Sequence, residues 1–200
     1  VYQTNLGLSE ARNTGIRESE GKYLVFVDSD DWVEKDYLKL LVNGIEMNNA
    51  DICVCGYYRK YQNKVLSKIT PKNELIEINE ENKLLNYYYK TFIENKYGIT
   101  CWNKIYKKEL FNKFSLKFEK NKEIFAEDLL FNTKLFLHIK RINYLSTPLY
   151  NYRIREGSIT QSYKKNLEIQ YAELLNRLDL YIKNNMKTYN SELISLIYYE

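Results

Sequence analysis

Apolar positions along the chain change period several times, and each change marks an element. Over residues 9–19, Ala11 and Arg12 favour helix, Ser9 is placed to cap it and Gly21 follows its end. YLVFV, residues 23–27, is an unbroken apolar run of strand length, the pattern of a buried parallel strand. Helix returns from Val33, because Val33, Tyr37, Leu41 and Ile45 recur every four residues and give one apolar face. Ile52, Val54 and Gly56 then alternate as a strand, and residues 64–72 read as a loop or hairpin. Asn79, Glu80 and Glu81 open a helix predicted to reach residue 92. CWNKIYKKELF, residues 101–111, reads as strand or turn running into helix. Residues 126–141 predict a helix with acids in its first turn and bases in its last, as the macrodipole prefers. Residues 143–153 predict a strand broken near Pro148, and Leu167, Tyr171, Leu174, Leu178 and Ile182 mark an amphipathic helix.

Strands alternating with helices before residue 60 indicate an α/β class, with a more mixed second half. With 200 residues, the chain is long enough for one domain with a sizeable core. Hydrophobic residues at 44% and charged residues at 28% argue against wholesale disorder. A net charge of +4 is too mild to demand nucleic acid, and it suits weak attraction to phosphorylated ligands or an anionic membrane surface as well as an ordinary solvated face. Cys53, Cys55 and Cys101 complete no zinc pattern and read as reduced, cytosolic thiols. No run of 18 apolar residues spans a bilayer, and no signal peptide is visible. The opening VYQTNLG reads as a strand end without a starting Met, so upstream residues are expected to be missing.

The chemistry concentrates where YLVFV ends in Asp28, Ser29, Asp30 and Asp31. Ligands of open α/β sheets bind beyond the carboxyl ends of the strands. Three neighbouring carboxylates repel one another and cost desolvation, and a hard divalent cation such as Mg²⁺ or Mn²⁺ relieves both penalties. The plainer alternative is that Asp28 or Asp31 caps the following helix. Glu127 and Asp128 at a helix start are either ordinary first-turn acids or a carboxylate able to take a proton from a hydroxyl. His138, late in its helix, reads as a packing residue or helix-end cation.

NLGLSEARNTGIRESEGKYLVFVDSDDW resembles the nucleotide-binding half of family-2 glycosyltransferases, and WNKIYKKELF, AEDLLFN and YNYRIREGSIT follow in the order of bacterial members that build capsule, exopolysaccharide or lipopolysaccharide. The resemblance runs over residues 5–161 and implies the GT-A fold, a Rossmann-like mixed sheet. The family's opening strand is absent, so the sheet is expected to lack its first strands and the isolated chain to be inactive. The chain divides as residues 1–162, a partial catalytic domain, and residues 163–200, a helical C-terminal extension. By resemblance, Asp30 coordinates the metal and Asp28 lies against the ribose or a metal-bound water. Ser29, in the same turn, binds the nucleotide sugar, and Arg12 approaches the nucleotide. Asp128 matches the catalytic base, Glu127 contacts the acceptor and Trp102 walls the sugar or acceptor pocket. Arg153 and Ser158 fall in a loop closing over the diphosphate, and Arg155, standing where some relatives place a metal-binding His, contacts phosphate directly.

The implied activity is inverting, metal-dependent transfer of a sugar from a nucleotide-diphosphate sugar to a glycan or lipid-linked acceptor, in the cytoplasm or on the inner face of a bacterial membrane. Two other classes are weighed against it. A haloacid-dehalogenase-like phosphatase also puts DxD after an apolar strand, but Trp32 stands where that class carries Thr or Val. A non-catalytic nucleotide-binding or membrane-docking fragment would use the Tyr- and Lys-rich segment after Tyr163.

Overall fold

The computed structural model describes residues 1–62, 64–78, 83–88, 91, 94, 98–120, 122–155 and 166–186. Helix α1 (Leu8–Glu18) leads to strands β1 (Tyr23–Val25) and β2 (Trp32–Val33), then helix α2 (Tyr37–Met47). Strands β3 (Ile52–Tyr61), β4 (Lys64–Ile69) and β5 (Glu74–Glu77) precede helix α3 (Lys83–Tyr88). Strand β6 (Lys104–Lys107), helices α4 (Lys108–Lys113) and α5 (Glu127–Phe136), strand β7 (Arg141–Ile154) and helix α6 (Leu167–Asn185) complete the order. One sheet runs β1-β6-β3-β7-β2, with β4 on β3 and β5 on β7. Among these pairs only β3 with β7 is parallel.

Strand β3 explains why the sheet lies in the middle of the core. Residues 52–56 are buried throughout, so the strand packs on both faces. Ile52 and Val54 enter one apolar cluster with Tyr106, Ile142, Leu130 and Phe131, while Cys53 and Cys55 enter another with Tyr37, Leu41 and Ile45. The two helical faces seen in the sequence thus cover opposite sides of one sheet. Helix α2 comes unusually close: a Cβ on Gly44 would stand 2.6 Å from Cys53 Sγ. Asn143 Nδ2 donates to Gly44 O at 3.0 Å and fixes that approach. Leu174, Leu175 and Leu178 of α6 join the first cluster, and Arg177 reaches Glu119, Glu123 and Glu173. No helix among the described residues is long and apolar enough to cross a membrane.

Several expectations are corrected. YLVFV is not a parallel strand. Only Tyr23–Val25 form β1, which pairs antiparallel with β6 at the end of the sheet order. Phe26 turns into the core against Tyr106 and Phe118, because an apolar run fixes burial but not a partner. Val33 belongs to β2 and pairs with Tyr150, so the helix begins only at Tyr37. Ser9 does not cap α1: Gly7, at φ 99, holds the N-cap position, and Ser9 is buried. Helix α5 stops at Phe136, short of Arg141. Asp51 Oδ2 accepts the backbone N–H groups of Lys140 (2.7 Å) and Arg141 (3.1 Å), diverting them from helical bonding. Strand β7 is not broken at Pro148; its ladder with β3 shifts register there instead. The hairpin alternative for residues 64–72 holds, since Lys64–Ile69 pair antiparallel with β3. The predicted helix start at residues 79–81 lies outside the described residues.

Candidate active site

Helix α1 places Arg12 by burying Ser9, Arg12, Asn13 and Ile16 along one face. Asn13 anchors that face in both directions, donating to Phe118 O at 2.9 Å and accepting from Phe118 N–H at 2.8 Å. The Arg12 guanidinium, 5.1 Å from the Phe118 ring centroid, then meets three carboxylates. Its Nη2 lies 3.0 Å from Asp28 Oδ1, and its Nη1 lies 2.5 Å from Asp128 Oδ1 and 3.4 Å from Glu127 Oε1. Arg12 is only 8% exposed. Burial opposes its charge, but Cys101, Asp128 and Asp28 outweigh burial and raise its pKa further. Four residues singled out in the sequence are thus joined in one cluster. Arg12, expected to approach a nucleotide, is the cation that joins the other three.

The acidic turn is held from β7. Asp31 N–H donates to Asp28 O at 3.0 Å and closes the turn. Tyr150 Oη accepts from Asp28 N–H (3.1 Å) and donates to Asp31 Oδ2 (2.7 Å), while Arg153 N–H donates to Asp31 Oδ1 (2.8 Å). Asp31 therefore ties the turn to β7 rather than capping α2, whose N-cap is Asp36. Burial raises the Asp31 pKa, against the pull of the Arg153 and Tyr150 hydrogen bonds. Asp30 points to the open side, 3.0 Å from the exposed Arg155, and Ser29 is exposed on the turn. The Arg153 guanidinium lies 5.2 Å from the Trp32 ring centroid. Ser158 lies outside the described residues.

Asp128 stands on a strained corner. Ala126, the N-cap of α5, adopts the left-handed conformation at φ 57 and ψ 56, which costs a non-glycine residue about 1 kcal/mol or more. Asp128 Oδ2 accepts Cys101 N–H at 3.3 Å. Burial raises its pKa, with Arg12 and the Cys101 hydrogen bonds pulling it back. The neighbouring segment is fixed by groups that sequence reasoning passed over. Asn132 Nδ2 donates to Ile99 O (2.7 Å) and Asp128 O (2.9 Å). Lys104 Nζ, fully buried, donates to Thr100 O (2.5 Å) and Asn103 Oδ1 (3.0 Å). Burial brings the Lys104 pKa down to about 8, against Cys101, Asp128 and Cys55. A lysine inside WNKIYKK looks like surface charge; only the burial of Ile105 and Tyr106 around it signals otherwise.

Trp102 is 6% exposed, stacked on Tyr150 (4.5 Å between centroids) and Tyr152 (5.6 Å), with Tyr57 edge-on at 4.8 Å. It backs Tyr150, whose hydroxyl holds the acidic turn. His138 stacks on Phe114 and pairs Nε2 with Tyr181 Oη at 2.7 Å, away from this cluster. All three cysteines are free and buried.

The fold has counterparts among solved structures. Crystal structures of S. aureus TarS superpose on it, the one in complex with UDP-GlcNAc at a TM-score of 0.73 and 24% identity, covering 96% of this chain and 51% of that one. The fold is therefore GT-A, an α/β mixed sheet with helices on both sides. The model of glycosyl transferase family 2 matches residues 1–115, more than half of the chain, and the chain belongs to that family. Glycosyltransferase GlyA of Streptococcus pneumoniae is 35% identical over 164 residues, covering 80% of this chain and 23% of GlyA. The uncharacterized glycosyltransferase EpsJ of Bacillus subtilis is 33% identical over 164 residues, covering 80% of this chain and 46% of EpsJ. The chain thus spans half or less of the length of these curated relatives.

Proposed function

We propose that the protein is an inverting glycosyltransferase, moving a sugar from a nucleotide-diphosphate sugar to a hydroxyl of a glycan or lipid-linked acceptor during cell-surface polysaccharide synthesis. The observation that carries this reading is the Arg12 junction, which brings the acidic turn and the Glu127–Asp128 pair to one guanidinium. Support for the donor class comes from TarS, which is named a poly(ribitol-phosphate) beta-N-acetylglucosaminyltransferase and has been crystallised with UDP-GlcNAc.

Asp128 is the base. Burial raises its proton affinity toward the working range of a general base, and Arg12 with Cys101 N–H holds its two oxygens in place. It takes the proton as the acceptor oxygen bonds to the anomeric carbon. The bond from that carbon to the diphosphate breaks on the opposite side, and its electron pair leaves with the diphosphate. The new linkage has inverted configuration. Glu127, on the same corner, orients the acceptor, Trp102 backs the pocket, and Ser158 and Arg155 contact the phosphates.

The acidic turn fits a divalent cation of a particular kind. Asp28 and Asp30 offer hard oxygens at an open edge, and among the described residues no set of three His, Cys, Asp or Glu groups forms a cage. Such a donor set suits Mg²⁺ or Mn²⁺ whose remaining ligands are phosphate oxygens and water. When bound, the ion would neutralise charge gathering on the departing diphosphate.

Asp128→Asn in the full-length protein tests the reading. It keeps the shape and removes the base, so the transfer rate is expected to fall by about 10²–10⁴-fold while nucleotide binding persists. Unchanged transfer would reject Asp128 as base. Retained metal-dependent nucleotide binding in Asp30→Ala would reject the cation site.

A further inference from the structure

Beside the acidic turn, a second group of side chains is left unused by this mechanism. Trp32 pairs across the ladder with Asn151, and Asn151 pairs with Tyr58. Arg153, two residues beyond Asn151, pairs with Lys60. Directly opposed residues, and residues two apart on a strand, share a face, so Trp32, Tyr58, Lys60 and Arg153 stand on one face of the sheet. Lys60 Nζ lies 5.1 Å from the Trp32 ring centroid and 5.3 Å from that of Tyr58, and the Arg153 guanidinium lies 5.2 Å from Trp32.

Two cations converging on one indole repel each other, and ring attraction offsets only part of that cost. Neither has a carboxylate partner among the described residues. The nearby acids are engaged: Asp30 by Arg155, Asp31 by Tyr150 and Arg153 N–H, and Glu34 by Asn151 Nδ2. An anion between Lys60 and Arg153 would relieve the repulsion, and phosphate matches the guanidinium fork. The half-buried Trp32 and Tyr58 rings add apolar platforms on which a sugar ring can rest. Lys60 is surplus to a diphosphate held at Asp28 and Asp30, because it reaches Trp32 from β3, with β7 lying between β3 and β2. We propose that Trp32, Tyr58, Lys60 and Arg153 form a subsite for a phosphate-bearing sugar of the acceptor. The proposal rests on the transferase reading for its role, though not for the binding it predicts.

Tryptophan emission of the protein, titrated with glucose 1-phosphate, reads the subsite. Saturable quenching is expected with glucose 1-phosphate and none with glucose. Lys60→Gln and Arg153→Gln should each weaken binding about tenfold, and Lys60→Arg should restore it. Saturating uridine diphosphate with Mg²⁺ should leave the glucose 1-phosphate affinity unchanged. Absence of saturable quenching, unchanged affinity in both Gln variants, or competitive displacement by uridine diphosphate would overturn the proposal. The last outcome would assign these cations to the donor diphosphate. A parallel titration of the full-length protein with uridine diphosphate alone reads the donor site. Its failure beside intact glucose 1-phosphate binding would reject the transferase reading and leave the subsite standing.

Discussion

Arg12 balances three acids at once, and no other residue type would do so. Its planar fork reaches Asp28 with one nitrogen and Asp128 and Glu127 with the other, whereas a lysine is a single point charge. Arg12→Ala would leave three partly buried carboxylates without their counter-charge. Urea unfolding should register a loss of about 3 kcal/mol, beyond any effect on transfer. The cysteines give a second residue-scale prediction. Burial pushes the Cys53 and Cys55 thiols up to about 12, from an ordinary value of 9.0. A folded-state pKa above the unfolded one contributes stability that is complete below pH 9 and is lost as pH climbs toward 12. The thiol contribution to the unfolding midpoint should therefore be lost between pH 9 and 12, and a disulfide reagent at pH 8 should modify these thiols only after denaturation.

At the scale of elements, the Tyr150 hydroxyl is the rivet between β7 and the acidic turn. Tyr150→Phe keeps the ring stacked on Trp102 but removes a bond to Asp31 and one from Asp28 N–H. A loss of about 1–2 kcal/mol is expected, with nucleotide binding weakened more than thermal stability. This rivet was hidden in the sequence. The acidic residues themselves were legible, because three carboxylates after an apolar run have few inexpensive explanations. Helical faces were legible too: Tyr37, Leu41 and Ile45 are buried together as their spacing requires. Strand partners were not, since periodicity records which face is buried and nothing about which neighbour lies alongside. That is why the apolar run of β1 suggests a buried parallel strand, and why the spacing of Val33 suggests helix. The end of α5 was equally hidden, because it depends on Asp51, a residue remote in sequence.

Across the whole molecule, α6 seals one side of the core. Leu174, Leu175 and Leu178 are buried in the cluster that also holds α5, and Arg177 bonds three glutamates around them. Burying each leucine contributes about 1.5–3 kcal/mol, so cutting the chain after residue 166 removes on the order of 5 kcal/mol, comparable to the whole stability of many domains. Such a truncation should lower the melting temperature sharply and bind a hydrophobic dye in its native buffer. Melting unchanged by the cut would mean that α6 adds nothing to the core.

The register shift in β7 sets the phase of everything beyond it. Leu145 and Tyr150 both face the α2 side, although one position is odd and the other even, because β7 advances from 145 to 150 while β3 advances only from 55 to 57. Past this point even-numbered residues of β7 face the α2 cluster and odd-numbered ones face Trp32. Losing one residue among 146–149 would reverse that assignment along the remaining strand. Tyr150 would swing away from Asp31 and Arg153 away from Trp32, with every one of those side chains still present. The spacing around Pro148 is thus a timing element for the site, and length changes there are more damaging than substitutions.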